Sequence, residues 1–291
     1  MPPKPAAPLL AVDTPSMLYR AFYALPDSIK GADGEPVNAL LGTANLILRE
    51  IEIHSPRAVA LCFGPDAAAY RVELFAGYHA DRPEMPEKLV PQWAAAKPFF
   101  EAFGRTVAVH DSLEADDLLG TYARLETNAG GRALLLTGDR DMFQCASKSV
   151  TVLYVSTGGS RGADEVGPAE VRKRYGIPPE LVPDFIALRG DPSDGIPGAK
   201  GVGDKTAAEL LREHGSLEAV LSAAIRIPKP KLRTTLTESA DELLAFKDMA
   251  TLRDAGVKRP RNRRTDWAGA AKAAEATGMN RLSKRLAELG G

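Results

Sequence analysis

The chain has 291 residues, 44% hydrophobic and 26% charged, with 37 Lys and Arg against 38 Asp and Glu and a net charge of −1. That length is about two domains' worth and can bury a sizeable core, so the balance excludes a disordered chain. No apolar run approaches the ~18 residues of a membrane helix, and no membrane partner is expected. Residues 1–8 are Pro-rich without an apolar stretch; they read as a disordered extension, not a signal peptide, which implies a cytoplasmic protein. Cys62 and Cys145 are too few for a disulfide framework and lie in no C-x-x-C pair, so buried thiols are expected.

In chain order, short apolar runs at 9–12, 58–63, 107–110, 133–137 and 150–155 predict strands buried on both faces. Helical patterns lie between them. Residues 37–52 carry Leu40, Leu41, Ala44, Ile47, Leu48 and Ile51 on one 3.6-period face, and a helix is expected after Asp111, with Asp111 as cap and Glu114 closing a capping box. The alternation predicts an α/β domain with a mostly parallel central sheet flanked by helices over 9–177. Beyond it the β signal stops. Residues 178–264 predict a helical lobe, with helices near 181–189 and 204–214 joined by a Gly-rich loop over 190–203, and 265–291 a helical tail. Residues 226–264 hold eleven Lys and Arg against five Asp and Glu, a basic strip that points to a polyanionic partner or a solvated surface.

In open parallel sheets the active crevice lies beyond the carboxyl ends of the strands. Here those positions are acidic: Asp13 after the first run, Glu114, Asp116 and Asp117 after the third, Asp139 and Asp141 after the fourth, and Asp191 and Asp194 where the helical lobe opens. Single segments have ordinary readings as helix caps and Gly-Asp turns. Together, with no His or Cys among them and little basic charge nearby, they predict a site for hard divalent cations, Mg²⁺ or Mn²⁺, serving phosphodiester hydrolysis. The segment Gly198-Ala-Lys-Gly-Val-Gly203-Asp204-Lys205-Thr206 is not a P-loop, because Asp204 separates Lys205 from the last glycine and no strand precedes it. It reads as a helix-hairpin-helix able to hold a phosphate on backbone N–H groups and Lys205.

On these residues the chain resembles the 5′ nuclease family: the 5′-3′ exonuclease domain of bacterial DNA polymerase I and its flap endonuclease relatives. Val-Asp13-x-x-Ser16-x-x-Tyr19-Arg20, Glu114-Ala-Asp116-Asp117, Thr-Gly-Asp139-Arg-Asp141 and Gly-Asp191-x-x-Asp194-Gly-Ile-Pro-Gly carry it in order, over about residues 9–255. The resemblance implies a PIN-like or resolvase-like fold and a stand-alone, monomeric, metal-dependent 5′-3′ exonuclease and flap endonuclease, 291 residues leaving no room for a polymerase domain. Asp13, Glu114, Asp116 and Asp117 would hold one ion, and Asp139, Asp141, Asp191 and Asp194 a second. Arg71, His79 and Arg82 would position the scissile phosphate, and residues 70–93 would arch over the 5′ single strand. Arg20, Tyr78, Lys200, Gly201, Gly203, Lys205 and Thr206 would contact DNA, with a monovalent cation such as K⁺ at the hairpin. Two positions depart from the family: Gly64 stands where an Asp is usual and His79 where a Lys is usual. On sequence, Gly64→Asp is therefore expected to lower the Mg²⁺ requirement, and His79→Lys to raise cleavage most at alkaline pH. A branched-DNA-binding protein with weakened chemistry and a PIN-type ribonuclease are the alternatives.

Overall fold

The computed structural model describes residues 6–156 and 162–291. Residues 1–5 of the expected disordered extension lie outside the described residues; Pro8, at its end, is buried and accepts from Arg57 N at 2.8 Å. Among the described residues six strands form one sheet in the order β3-β2-β1-β4-β5-β6. β1 (Leu9–Asp13), β2 (Ala58–Phe63), β3 (Thr106–Val109), β4 (Ala133–Thr137) and β5 (Val150–Tyr154) are parallel, and β6 (Asp164–Val166) is antiparallel to β5. The five apolar runs are these parallel strands. β6 has no counterpart among the apolar runs, because a three-residue edge strand with Asp164 and Glu165 carries no such signal.

The inner strands β1 and β4 feed two cores. Leu9, Ala11 and Leu135 face one layer, while Leu10, Val12, Leu134 and Leu136 face the other, which is why the runs are apolar without alternation. On the second face lie α1 (Thr14–Ala24), α2 (Asn38–His54) and α4 (Val90–Glu101); the short α3 (Ala69–Leu74) precedes α4 in the chain. On the first face lies α5 (Ala115–Asn128). Its cap differs from the expected one: Glu114 is the N-cap and Asp117 the returning residue of the capping box. Asp111 lies outside the helix because the His110 ring instead accepts from Ser112 N and Leu113 N, turning the chain before α5 begins.

The helical lobe contains α6 (Pro168–Tyr175), α7 (Val182–Arg189), α8 (Asp204–His214), α9 (Leu217–Ala223), α10 (Pro230–Glu238) and α11 (Ala240–Ala250). α7 is buried along most of its length, and its core runs continuously into the α5 side of the sheet. The chain then leaves the lobe as a strap without regular secondary structure, residues 252–266. The tail, α12 (Trp267–Ala276) and α13 (Asn280–Gly290), belongs to the α/β domain. Ala270, Ala274, Leu282 and Leu286 complete the core of α2 and α4, and Arg285 reaches Glu52 at 2.8 Å.

Candidate active site

β1 lies between β2 and β4, so its carboxyl end is where the strand order reverses and a crevice opens. The crevice encloses about 660 Å³ and is lined by Asp13, Glu114, Asp116, Asp139, Asp191 and Asp194, with Arg20 and Arg82 at its margin. Asp13 ends β1 and caps α1, accepting from Ser16 N at 3.1 Å. Thr137, the last residue of β4, donates its hydroxyl to Asp13 at 2.8 Å and accepts from Asp139 N at 3.0 Å. One hydroxyl thus sets the spacing of two carboxylates. Sequence reasoning passed over Thr137 because a strand-end threonine has no charge; its place immediately before Gly138-Asp139 was the available signal. A Cβ at Gly138 would displace the Arg20 guanidinium, which donates to Gly138 O at 2.5 Å.

The acids divide into two sets. Glu114, Asp117, Asp191 and Asp194 have cationic partners. Arg71 reaches Glu114 at 2.9 Å and Asp117 at 3.3 Å, and Arg189 reaches Asp191 at 3.1 Å. Asp194 Oδ1 is met by His79 Nε2 at 3.1 Å and Arg82 at 3.5 Å. The expectation of little nearby basic charge is therefore corrected for this half. Asp13, Asp116, Asp139 and Asp141 have no ion pair of 4.0 Å or less among the described residues, and Asp116 Oδ1 is buried with no hydrogen-bond partner. Burial and the neighbouring carboxylates push Asp139 up to about 7; burial, with the charges of Asp13 and Asp139, pushes Asp116 well above the usual range, and burial, with the charges of Asp139 and Asp194, does the same to Asp141.

Several expected roles change in three dimensions. Asp117 is fully buried and faces away from the crevice: it accepts from Arg253 N at 2.7 Å and Glu114 N at 3.2 Å, tying α5 to the strap. Asp141 borders a much smaller cavity beneath the crevice, beside Asp116, Asp194 and Arg71. Arg71 is buried and donates to Met249 O, so it holds Glu114 in place from below; it does not face a phosphate in the crevice. Tyr78 is likewise buried, its hydroxyl donating to Glu114 at 3.0 Å. His79 uses both ring nitrogens, on Asp194 and on Asp66 O at 2.7 Å, and stacks on Tyr78 at 3.9 Å. Only Arg82 of the three expected phosphate-positioning residues lines the crevice, paired with Asp66 at 2.9 Å. Segment 70–93 here packs down as a wall of the crevice, because Tyr78 and Leu89 are buried and His79 N donates to Asp194 O at 3.1 Å.

Gly64 answers the question of the missing Asp. A Cβ there would lie 2.4 Å from Leu113 O and 2.7 Å from Glu114 Cα. The backbone that caps α5 occupies the space any side chain would need, which overturns the expectation that Gly64→Asp improves the site. In the lobe, the loop between α7 and α8 closes as a tight hairpin, with Ala199 N donating to Leu188 O at 2.8 Å. Lys200, Gly201, Gly203 and Lys205 are exposed, Thr206 is half-buried, and Gly203 is the N-cap of α8, with no side-chain cap.

Two family descriptions match end to end: the 5′-3′ exonuclease N-terminal resolvase-like domain over residues 8–176, and the 5′-3′ exonuclease C-terminal SAM fold over residues 177–263. The chain belongs to the 5′-3′ exonuclease family. This family member is 38% identical over 238 residues to a 5′-3′ exonuclease of Mycobacterium tuberculosis, covering 75% of this chain and 74% of that one. It is 39% identical over 214 residues to the DNA polymerase I of the same organism, covering 73% of this chain but only 24% of the polymerase. The chain thus spans about a quarter of the length of its polymerase relatives. A crystal structure of the bacteriophage T5 flap endonuclease, in complex with DNA and metal ions, has the same fold (TM-score 0.70, 18% identity, 96% of this chain and 98% of that one). The tail α12–α13 lies beyond the matched family domains.

Proposed function

We propose that this chain hydrolyses phosphodiester bonds at the 5′ end or junction of branched DNA, with divalent cations, Mg²⁺ or Mn²⁺, held by Asp13, Asp116, Asp139 and Asp141 and by Asp191 and Asp194 across the crevice. The observation that carries this reading is the buried Asp116 Oδ1, without a hydrogen-bond partner among the described residues, beside carboxylates that form no ion pair of 4.0 Å or less there. Crowded carboxylates of this kind are held ionised at neutral pH by hard cations. Among the described residues no three His, Cys, Asp or Glu side chains converge into a ready-made cage, so a hard cation held here would complete its shell with water. When bound, such cations supply Lewis acidity toward the phosphate and an activated water.

The chain's own groups orient the substrate. Thr137 sets the separation of Asp13 and Asp139, Arg71 and Tyr78 hold Glu114 at the crevice wall, and Arg82, 39% exposed at the margin, is placed to meet a phosphate. The uncapped N-terminus of α8, with Lys200 and Lys205 beside it, supports phosphate contact without base reading. The test is cleavage of 5′-labelled flap, nicked duplex and RNA of matched sequence, each with Mg²⁺, Mn²⁺ and EDTA. Metal-dependent cutting of the flap near its junction is expected. Preferential cutting of RNA, or DNA binding without cutting in either metal, overturns the proposal.

A further inference from the structure

The strap of residues 252–266 runs the length of the α/β domain. At its start Arg253 N donates to Asp117 beside the crevice, and further on Arg259 meets Glu126 near the C-terminal end of α5, at 3.0 Å. It then crosses the floor of the sheet, the end opposite the crevice: Arg57, just before β2, donates to Pro260 O at 2.7 Å, Arg57 O accepts from Arg263 N at 2.9 Å, and Phe103 O, ahead of β3, accepts from Asp266 N at 2.9 Å. Lys258, Arg261, Arg263 and Arg264 on this stretch are exposed, and no ion pair or hydrogen bond engages their side chains among the described residues. Arg132, whose carbonyl receives Leu9 N on the same floor, is exposed in the same way. The nearby acids are already engaged, Glu126 with Arg57 and Arg259, and Asp266 as the cap of α12.

We propose that this floor strap binds the single-stranded 5′ arm of the branched substrate after it leaves the crevice; the inference rests on the function proposed above. A row of unpaired cations matches a polyanion. No large exposed apolar side chain lies on residues 252–266, so the strap lacks the aromatic or aliphatic anchors that a protein interface needs at its centre. The flexibility of the ligand decides which part of the DNA it takes. β1 has five residues, so crevice and floor are separated by at least ~16 Å at ~3.3 Å per residue. A duplex with a persistence length of about 150 base pairs does not turn from one end of the sheet to the other over that distance. A single strand does. From Lys258 to Arg264 the extended strap spans up to ~20 Å, a linear track suited to successive phosphates and blind to sequence.

The experiment uses the full chain with Lys258, Arg261, Arg263 and Arg264 all replaced by Ala, all exposed positions, with its melting temperature compared to wild type. Binding to labelled DNA in EDTA is measured by fluorescence anisotropy across a salt series, for a duplex with a 5′ flap of about 2 nucleotides and one of about 20, the longer spanning the sheet at ~3.4 Å per nucleotide. On the long flap the slope of log affinity against log salt should weaken by about 3, four phosphate contacts at ~0.7 each. On the short flap it should be unchanged. An unchanged slope on the long flap overturns the inference and leaves the strap to an acidic protein partner. An equal loss on both substrates also overturns it, assigning the cations to duplex or to general attraction. Cleavage of the short flap by wild type in Mn²⁺ is scored separately: its failure counts against the proposed function, while its success with no flap-length effect counts against the strap alone.

Discussion

Replacing Asp139 by Asn separates the cost of the site from its use. Its carboxyl is pushed from the ordinary 3.8 up to about 7, by burial first and then by the charge of Asp194. Because the folded pKa lies above the unfolded one, stability linked to this group is present below pH 3.8 and lost as pH rises through about 7. At pH 8 the metal-free protein therefore carries an ionised Asp139 at a cost of up to ~4 kcal/mol, about three pKa units at ~1.36 kcal/mol each. Residual exposure at the crevice wall and water entry bring this to about 2–4 kcal/mol. The amide keeps the acceptor oxygen that receives Asp141 N at 2.8 Å, so no hydrogen bond is lost. In EDTA at pH 8, Asp139→Asn should melt about 5–10 °C above wild type, and the difference should shrink at pH 5, where the wild-type carboxyl is protonated. Added Mn²⁺ should raise the wild-type melting temperature more than the variant's, and flap cleavage should fall at least a hundredfold. A variant that melts at or below wild type in EDTA at pH 8 would refute the claim that these carboxylates are uncompensated.

Gly64→Asp should lower stability by about 1–3 kcal/mol and reduce cleavage at every Mg²⁺ concentration, since its Cβ displaces the backbone of Leu113 and Glu114; a lowered Mg²⁺ requirement would show that this backbone yields freely. His79→Ala removes hydrogen bonds to Asp66 O and Asp194 and the stack on Tyr78, so a loss of about 1–3 kcal/mol is expected together with a higher Mn²⁺ concentration for half-maximal cleavage. The companion His79→Lys should give no alkaline gain in rate, because the side chain here anchors Asp194; a rate ratio to wild type that climbs from pH 6.5 to pH 8.5 would restore the phosphate-contact role. Arg105 is 5% exposed, its three guanidinium nitrogens have no hydrogen-bond partner among the described residues, and burial pushes its pKa down to about 9. Arg105→Met should therefore stabilise the protein by about 1–3 kcal/mol in thermal melts, the contact with the Phe103 ring at 4.5 Å being a smaller loss; a fall in melting temperature would mean that the cation is satisfied.

The five parallel strands, the helical lobe, the hairpin and the acidic crevice were legible in the chain alone, because each is a local signal: an apolar run, a 3.6-residue period, a glycine cluster, a carboxylate after a strand. What those signals omit is partnership. Nothing near Asp194 in the sequence announces His79 or Arg82, more than 100 positions away, and nothing near Asp117 announces Arg253. Eight acids that look alike in a motif become four with an ion pair and four without one among the described residues only when segment 70–93, α7 and the strap are packed around them. The same holds for Gly64, whose lack of a side chain reads as a missing ligand until the α5 cap is seen 2.4 Å from where a Cβ would stand. Backbone pattern follows from neighbours in the chain; charge compensation and free volume are set by neighbours in space, and those the tertiary structure alone supplies.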